Sequence, residues 1–467
     1  MPFLASPEAL VALVVLIAGG SLLLSPKATT PESFFAGVDV NGKAPGLLTL
    51  VLSQVTTWIF ARSLLTAAIL GYYYGVAGAL AYTAYYLSFL TGMFIVGKLR
   101  RKGARSLQGW LRGEYGRVGV TCYNMVVALR LMSEVFANLI VVGLIFSAAY
   151  GGSEQAGRAA MIALALVALA YSALGGLRAS LRTDVGQMAL FLVVFLLAFG
   201  VMIFGEGFSF GTVLTAEGIA GGHNGWVLFA VALLQITSYP AHDPVMMDRG
   251  FLADEDTTRK AFFYAFIMSA ASIFGFALFG VQASVVGAEL VNGNLLGTWQ
   301  VMFGDTVYFL IVASLLISAM STLDSALASA ARLAIDEMKL GARTIWNGRI
   351  AMALFMLGGV LFLLAETKDL FAAVAVSGTA SMFLAPVLVL GLGFGIRIPV
   401  WSYLVGFAAA VAGAVAYFYQ SSDLVISLFG DGHKYERLLM ICVTVLIIGF
   451  TAALIGAATR RRVAVAG

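Results

Sequence analysis

Three observations in the sequence predict an all-α integral membrane protein. Hydrophobic residues make up 61% of the 467 residues, and charged residues make up only 11%. The mean hydropathy of +0.95 is too high for a soluble domain of this length, which could not bury so much apolar surface. The apolar residues also form separate segments of helical length, and the positive charges collect on alternate sides of them.

Thirteen apolar segments follow one another along the chain, and most approach the ~20 residues that a spanning helix requires. Their limits are 8–24, 45–72, 74–98, 118–149, 158–175, 184–204, 225–243, 260–287, 306–336, 345–365, 370–394, 399–419 and 438–457. The first lacks the basic start and small-residue cleavage site of a signal peptide. No long polar insertion separates the segments, so residues 1–467 are predicted to form a single transmembrane domain.

Lysine and arginine predict how these segments are oriented. If the N-terminus lies outside, 21 of the 28 basic residues fall in inner loops and 4 fall in outer loops. The other three are Arg62, Arg130 and Arg332, which fall within segments. Because cytoplasmic loops carry an excess of Lys and Arg, the N-terminus is predicted outside the cell membrane and the C-terminus in the cytoplasm.

The ninth segment, 306–336, carries more oxygen atoms than a spanning helix needs. Six hydroxyl side chains fall on one helical stripe; they are Ser314, Ser318, Ser321, Thr322, Ser325 and Ser329. Small residues allow close helix packing, but packing does not explain Asp324, because a carboxylate at membrane depth is costly. Hydroxyl, carbonyl and carboxylate oxygens are the ligands of hard cations, so the pattern predicts a cation site.

Two other stretches also allow both a functional and a structural interpretation. Asp184 begins the sixth predicted segment, where it is either a site residue or an N-terminal cap. Pro240 and Pro244 interrupt the seventh segment, which predicts either a helix break that lines a cavity or a simple kink near the inner end. In the second case, Asp243 belongs with Arg249 to a charge cluster at that end.

The stretches "SAMSTLDSALASAARLAIDEM", "GGLRASLRTDVGQ" and "MMDRGFLADEDTTRKA" resemble three signature regions of the sodium:solute symporter family. The resemblance runs from roughly residue 8 to residue 457. It implies a LeuT-type core of two inverted five-helix repeats, at 45–204 and 225–394, with helices 1, 12 and 13 at the periphery. In such folds the first helix of each repeat is broken, and ion and solute bind near the membrane midplane.

The resemblance also implies ligands for a coupling Na⁺. The backbone carbonyls of Leu52, Val55 and Ser318 and the hydroxyls of Ser321 and Thr322 are expected to hold it. In "LVLSQVTTW" no glycine or proline opens the helix, so the break must come from tertiary contacts.

A second Na⁺ or a proton is expected nearby. Its ligands would be Asp184, Asp324 and Ser325, together with the hydroxyl of Ser321. Because two carboxylates in one small site repel each other, a cation or a proton is expected between them.

Substrate contacts are expected around the two broken helices. Arg130 and Glu134 lie four residues apart, so the pair is either self-contained or part of the solute site. His242 is read as a hydrogen-bonded structural residue or a proton relay. The substrate candidates are Gln54, Thr56, Arg62, Arg130, Glu134, Gln235, Tyr239 and Asp243.

The predicted function is a sodium-coupled symporter that imports a small polar organic solute by alternating access. Its partners are the solute and the lipid bilayer, with no nucleic acid and no obligate protein partner. Enzymatic activity is not expected, because three histidines and two cysteines provide no metal cluster or catalytic triad by their spacing. The alternatives are a proton-coupled transporter, or a sensor or channel that keeps the symporter fold.

Overall fold

The computed structural model describes residues 6–38, 42–291, 293–361 and 370–466. These residues form helices and loops, with one isolated β-bridge between Val291 and Asn294. The helices are α1 (Pro7–Leu24), α2 (Pro31–Ala36), α3 (Leu47–Thr56), α4 (Ala61–Ala84), α5 (Ser88–Arg101), α6 (Leu107–Ala149), α7 (Glu154–Ile203), α8 (Phe210–Thr215), α9 (His223–Gln235), α10 (Pro244–Arg249), α11 (Glu255–Val285), α12 (Leu295–Arg332), α13 (Ile345–Leu361), α14 (Leu370–Ser381), α15 (Leu384–Gly393), α16 (Val400–Phe418), α17 (Asp423–Phe429) and α18 (Lys434–Ala466).

The prediction of an all-α membrane protein is confirmed. Within the described ranges, eight helices are long and apolar enough to cross a bilayer, or nine if α14 and α15, bent by 45°, form one span. The number thirteen stays a prediction. Two predicted segments can lie within one bent helix, as 158–175 and 184–204 do in α7, so a count of helices does not test it. Residues 362–365, the end of the tenth predicted segment, lie outside the described residues.

Four of the described long helices, α4, α6, α7 and α12, bend at a glycine, and two of these bends are also tightly packed. Gly75 in α4 has φ 59° and Gly176 in α7 has φ 56°, both in the left-handed region. A Cβ at Gly75 would lie 1.9 Å from the carbonyl oxygen of Ala216, and one at Gly176 would lie 2.4 Å from that of Phe34. Conformation and space therefore both require glycine at the two bends.

The bend at Gly176 corrects one prediction about Asp184. The predicted segments 158–175 and 184–204 both belong to the bent helix α7, and the residues between them are helical except at Gly176. Asp184 lies about two turns beyond the bend and is completely buried. The N-terminal cap was therefore the wrong alternative, because this carboxylate is in a helix interior and faces other helices.

The helix break between α3 and α4 occurs without glycine or proline. The backbone N–H groups of Trp58 and Ile59 both donate to the Val55 carbonyl, at 3.2 and 3.0 Å. Two side chains from other helices donate to the carbonyls that the break leaves without a helical partner: Tyr86 Oη to Trp58 O, at 2.6 Å, and Ser318 Oγ to Ile59 O. Tertiary hydrogen bonds thus satisfy the open backbone, as irregular structure at membrane depth requires.

A second break separates α9 from α10 and contains Pro240, as the sequence predicts. Residues 236–239 form turns, Pro240–His242 form a short 3-10 helix, and Pro244 occupies the first position of α10. Asp243 caps this short helix, because its Oδ1 accepts a hydrogen bond of 3.0 Å from Met246 N. Both breaks lie in the densely packed interior of the protein.

The interior is assembled from helices that approach very closely. Helix α4 packs along α9 and α11, while α12 packs along α7. The most apolar stretch of α12 is 83% buried, whereas that of α1 is 28% buried. Helix α12 is therefore a central element and α1 a peripheral one, and the hydroxyl stripe of the ninth predicted segment faces protein.

Candidate functional site

The first polar group joins α12 to the break after α3, and we call it the break site. It consists of Thr56, Ile59, Ser318 and Thr322, whose side chains are all buried. The Thr322 hydroxyl lies 2.9 Å from Ser318 O and 3.5 Å from Thr56 O. Ser318 Oγ donates to Ile59 O. Carbonyl and hydroxyl oxygens from two elements therefore converge here, and this ligand chemistry suits a hard cation.

The other residues expected around the first Na⁺ divide between two places. Val55 O lies in the break and accepts the two backbone hydrogen bonds described above. Leu52 is buried in α3, one turn earlier. Ser321 points away from the break, because its hydroxyl lies 3.2 Å from Asp184 Oδ1. Among the expected ligands, Ser318 and Thr322 are thus in direct contact with the residues of the break.

The second polar group is the Arg249 cluster, which consists of Ser53, Ser180, Asp184, Arg249 and Ser325. Nη2 of Arg249 donates to Asp184 Oδ2 at 3.0 Å and to Ser325 Oγ at 2.9 Å. Its Nε donates to Ser53 Oγ, which in turn donates to Asp184 Oδ2. Ser325 also lies 3.0 Å from Ser180. One guanidinium therefore joins α10 to α3, α7 and α12.

The Arg249 cluster corrects the prediction that counted Arg249 among the basic residues of the inner loops, and it contradicts the alternative in which Asp243 belongs with Arg249 to a charge cluster. The Arg249 side chain is completely buried, and its acidic partner is Asp184. Buried charges are tolerated when they are paired and hydrogen-bonded, and here both conditions hold. The residues expected to bind a second cation, Asp184 and Ser325, thus already contact a cation that belongs to the chain.

Asp324 lies beside this cluster in a different environment. Its Oδ2 accepts a hydrogen bond of 2.7 Å from the hydroxyl of Thr183. Its Oδ1 is buried and has no hydrogen-bond partner among the described residues. A buried carboxylate oxygen without a donor is costly, so this atom is a candidate position for a proton, a cation or an ordered water.

The third polar group is the Arg130 cluster, which consists of Arg62, Arg130, Glu134 and Asp243. Arg130 lies 3.1 Å from Asp243 Oδ2 and 3.2 Å from Glu134 Oε2. The pair on α6 is therefore not self-contained, because Asp243 at the second break completes it. All four side chains are buried, and their charges balance as two positive and two negative.

A small aromatic cavity adjoins Arg130. Its lining residues are Trp58, Phe60, Ser63, Tyr82, Tyr85, Tyr86, Arg130 and Tyr239. The volume open to the centre of a water molecule is about 10 Å³, which is room for roughly one water. The Tyr239 ring lies 5.3 Å from Trp58 and 5.4 Å from Tyr85, measured between centroids. Aromatic rings from both broken helices therefore close around this space.

The remaining candidates lie around these groups. Gln54 Nε2 lies 3.4 Å from the carbonyl of Met246 on α10, and Thr56 Oγ1 donates to Ser53 O at 2.7 Å. Gln235 accepts from Tyr85 and faces α14 and α18. His242 contacts Tyr239 O through Nδ1 and Ser377 Oγ through Nε2. Both of its ring nitrogens are engaged, which agrees with the structural reading.

Sequence reasoning missed Arg249, Ser53 and Thr183 as members of the site. Arg249 directly follows Asp248 and precedes a charged loop, so its local sequence is typical of an inner membrane boundary. Thr183 and Asp184 are neighbours in α7, yet they have different partners in the site, because Thr183 donates to Asp324 and Asp184 pairs with Arg249. A helical register for 177–203 that began at Gly176 would have placed both residues on the face that meets α12.

Comparison with known proteins bears on the fold. No family model matches the chain, and no curated protein matches it in sequence. A Na⁺-coupled sialic acid symporter, solved in a substrate-bound outward-open state, covers 96% of this chain and 97% of its own at 14% identity and a TM-score of 0.72.

Two further solved structures show the same arrangement of helices. One is Mhp1, a nucleobase-cation-symport-1 family transporter in a closed conformation with bromovinylhydantoin bound, at 13% identity, 91% and 95% coverage and a TM-score of 0.58. The other is the Eremococcus coleocola manganese transporter in complex with an aromatic bis-isothiourea substituted compound, at 12% identity, 89% and 95% coverage and a TM-score of 0.53. The chain has the LeuT-type fold.

Discontinuous helices are the usual site of ion and solute binding in the LeuT-type fold. The break site lies at the first discontinuous helix of this chain, and the Arg130 cluster links the second one to α6. The residue limits of the two inverted repeats stay a prediction.

Proposed function

We propose that the chain is a sodium-coupled symporter of the sodium:solute symporter type, which imports a small polar solute across the cell membrane. The LeuT-type fold and the likeness to a Na⁺-coupled symporter support a secondary transporter. The break site supports Na⁺, because it gathers neutral oxygen ligands at a helix break. The Arg130 cluster and the aromatic cavity are the proposed solute site.

The observation that carries this proposal is the position of the Thr322 hydroxyl. It lies 2.9 Å from a carbonyl of its own helix, Ser318 O, and 3.5 Å from a carbonyl of the break, Thr56 O. A bound cation draws these oxygens together and thereby ties α12 to the end of α3. Na⁺ then favours the conformation in which both sides of the site meet, and this differential affinity is what couples the ion to the transport cycle.

We expect Thr322→Val to weaken Na⁺ binding at least tenfold, which corresponds to about 1.4 kcal/mol. Valine keeps the shape of threonine and removes the one side-chain oxygen that contacts both carbonyls. The measurement is the midpoint of the Na⁺-dependent rise in melting temperature of the purified protein, with choline as the replacement cation.

Ser314→Ala is the matched control for this test. Ser314 is buried on the same helix, and its hydroxyl donates to Ile311 O of that helix at 2.6 Å, so the Na⁺ midpoint should stay unchanged. Equal Na⁺ midpoints in Thr322→Val and the unmodified protein would remove the coupling ion from α12.

Proton coupling is the second candidate, and the Arg249 cluster favours it. Arg249 gives Asp184 the positive neighbour that a second Na⁺ would otherwise supply, while Asp324 Oδ1 has no donor among the described residues. Under this alternative, Asp324 exchanges a proton during transport. Three results together would favour protons over Na⁺. Solute uptake would persist in choline buffer, would increase with an inwardly directed proton gradient, and would be lost in Asp324→Asn.

A further inference from the structure

The inference begins with Arg62, a buried cation that has no hydrogen-bond or ion-pair partner among the described residues. It lies in the first turn of α4 with none of its surface exposed. Its Nε, Nη1 and Nη2 atoms have no hydrogen-bond partner in the part of the chain that the structure describes. The positive end of the α4 dipole also opposes a cation at this position. The contact that remains is with the Phe60 ring, whose centroid lies 4.8 Å from the guanidinium carbon.

The other fully buried arginines have acidic partners. Arg249 and Arg130 both form ion pairs with aspartate, at 3.0 and 3.1 Å. A guanidinium carries five donors, and leaving them unmade in the interior costs several kcal/mol. A chain that pairs two buried arginines and leaves the third without acceptors indicates that the acceptor for Arg62 comes from a ligand.

Glu134 on α6 has the opposite shortage, because its carboxylate oxygens lack hydrogen-bond donors. Neither Oε1 nor Oε2 accepts a hydrogen bond from the described residues, although Oε2 lies 3.2 Å from Arg130 Nη1 in an ion pair. The guanidinium carbons of Arg130 and Arg62 lie 5.9 and 4.8 Å from the same Phe60 centroid. Arg62, with donors that lack acceptors, and Glu134, with acceptors that lack donors, are therefore linked through Phe60 and Arg130.

Two cavities are lined by residues that are close to Arg62 in sequence. A larger cavity of about 490 Å³, on the outer side in the predicted orientation, is lined by Leu65 and Thr66, one turn after Arg62 on α4. The small aromatic cavity is lined by Phe60, Ser63 and Arg130. Residues within about one turn of Arg62 therefore line both a cavity large enough for a small molecule and one with room for only part of a solute.

Charge balance narrows the class of solute. The Arg130 cluster is already neutral, so a solute with a net charge would add an uncompensated charge to a buried site. The Arg249 cluster together with Asp324 has one positive and two negative charges when all are ionised, which leaves one negative charge for a bound Na⁺ to balance. The ion therefore does not neutralise an anionic solute as well.

We propose that Arg62 and Glu134 are the two poles of the solute site, and that the solute is small and net-neutral. Its acceptor end, a carboxylate or carbonyl oxygen, receives the Arg62 donors. Its donor end, an ammonium or amide N–H, meets Glu134. A small amino-acid zwitterion and a urea or simple amide share this two-ended chemistry. The inference rests on the transport function proposed above and specifies its substrate.

The test is a thermal-shift panel on the purified full chain in saturating Na⁺. The two-ended probes are glycine, alanine, urea and acetamide at millimolar concentration, and the one-ended probes are acetate and methylammonium. At least one two-ended probe should raise the melting temperature, and neither one-ended probe should match it. A response to glycine or alanine identifies zwitterions, whereas a response to urea or acetamide identifies the amide class.

The variants Arg62→Met and Glu134→Gln should each weaken the responding probe at least tenfold while the Na⁺ midpoint stays unchanged. Arg158→Met, at an exposed ion pair, is the control and should change neither quantity.

The proposal is overturned if acetate or methylammonium acts as well as the two-ended probes, if no two-ended probe acts, or if Arg62→Met retains full solute affinity. A normal Na⁺ response in those cases would leave sodium coupling standing, so the two proposals fail separately. Loss of the Na⁺ response in the unmodified protein would instead contradict the transport mechanism.

Discussion

Replacement of Arg249 by methionine is expected to destabilise the protein by about 3–5 kcal/mol, the usual cost of breaking a buried ion pair by removing one partner. The substitution keeps an unbranched apolar side chain of similar length, so the loss is mainly electrostatic. It leaves Asp184 buried with serine hydroxyls as its donors among the described residues, at Ser53, Ser321 and Ser325. The measurement is the melting temperature in Na⁺-free buffer, read with expression level.

Two comparisons make the Arg249 experiment decisive. The double variant Arg249→Met with Asp184→Asn should recover much of the loss, because it removes the charge that the single change leaves unpaired. Arg259→Met breaks an ion pair whose side chains are 67% and 55% exposed, and it should leave the melting temperature nearly unchanged, because exposed ion pairs contribute little to stability. A single Arg249 variant as stable as this control would show that Asp184 does not depend on the guanidinium.

The same variant should respond more steeply to Na⁺. With the guanidinium gone, Asp184 and its serine neighbours retain the oxygens that bind a hard cation. High Na⁺ should therefore restore stability to Arg249→Met beyond what it adds to the unmodified protein. An unchanged Na⁺ response would mean that the vacated space does not hold the ion, and that Arg249 does not substitute for one.

Gly280→Ala is expected to give the second large effect, a loss of about 3 kcal/mol. A Cβ at Gly280 on α11 would lie 1.8 Å from the carbonyl oxygen of Ala68 on α4 and 2.6 Å from its carbonyl carbon. Both atoms are backbone, so no side chain can move aside to relieve the overlap. The two helices would have to separate, and α4 carries Arg62 and the lining of both cavities.

The control for this substitution is Gly200→Ala. Gly200 lies inside α7, and a Cβ added there would meet no atom of another residue within 4 Å beyond the backbone of its own helical turns. Alanine at this position should therefore be neutral or slightly stabilising through helix propensity. The comparison uses melting temperature and the yield of monodisperse protein. If the two variants melt within about a degree of each other, the close approach of α4 and α11 does not limit stability.

Much of the architecture follows from local sequence. Apolar runs of about 20 residues predict spanning helices because bilayer thickness fixes their length, and Pro240 and Pro244 predict the second break because proline removes a backbone donor. The break at 57–60 has no such local signal. It depends on hydrogen bonds from Tyr86 and Ser318, which are distant in sequence, so only the family resemblance led to it.

Some residues of the candidate site can likewise be predicted from local sequence, and others cannot. The hydroxyl stripe of α12 and the carboxylate of Asp324 stand out in an apolar segment, because such groups are costly in a membrane. Arg249 does not stand out, because arginines are common at the inner ends of membrane helices. Arg249 is buried because the second break places α10 beside α3 and α7. Nothing in the sequence of residues 244–249 indicates this placement.

The bend at Gly75 has a mechanical consequence. Three main-chain hydrogen bonds cross from the bend to the loop before α9: Val76 N to Ala216 O (2.9 Å), Ile219 N to Tyr72 O (3.1 Å) and Ala220 N to Tyr73 O (2.8 Å). The part of α4 that ends at Gly75 is thereby fastened to the loop that leads into α9. If either α4 or the loop before α9 tilts, the other must tilt with it or these hydrogen bonds must break. The two segments therefore move as one unit.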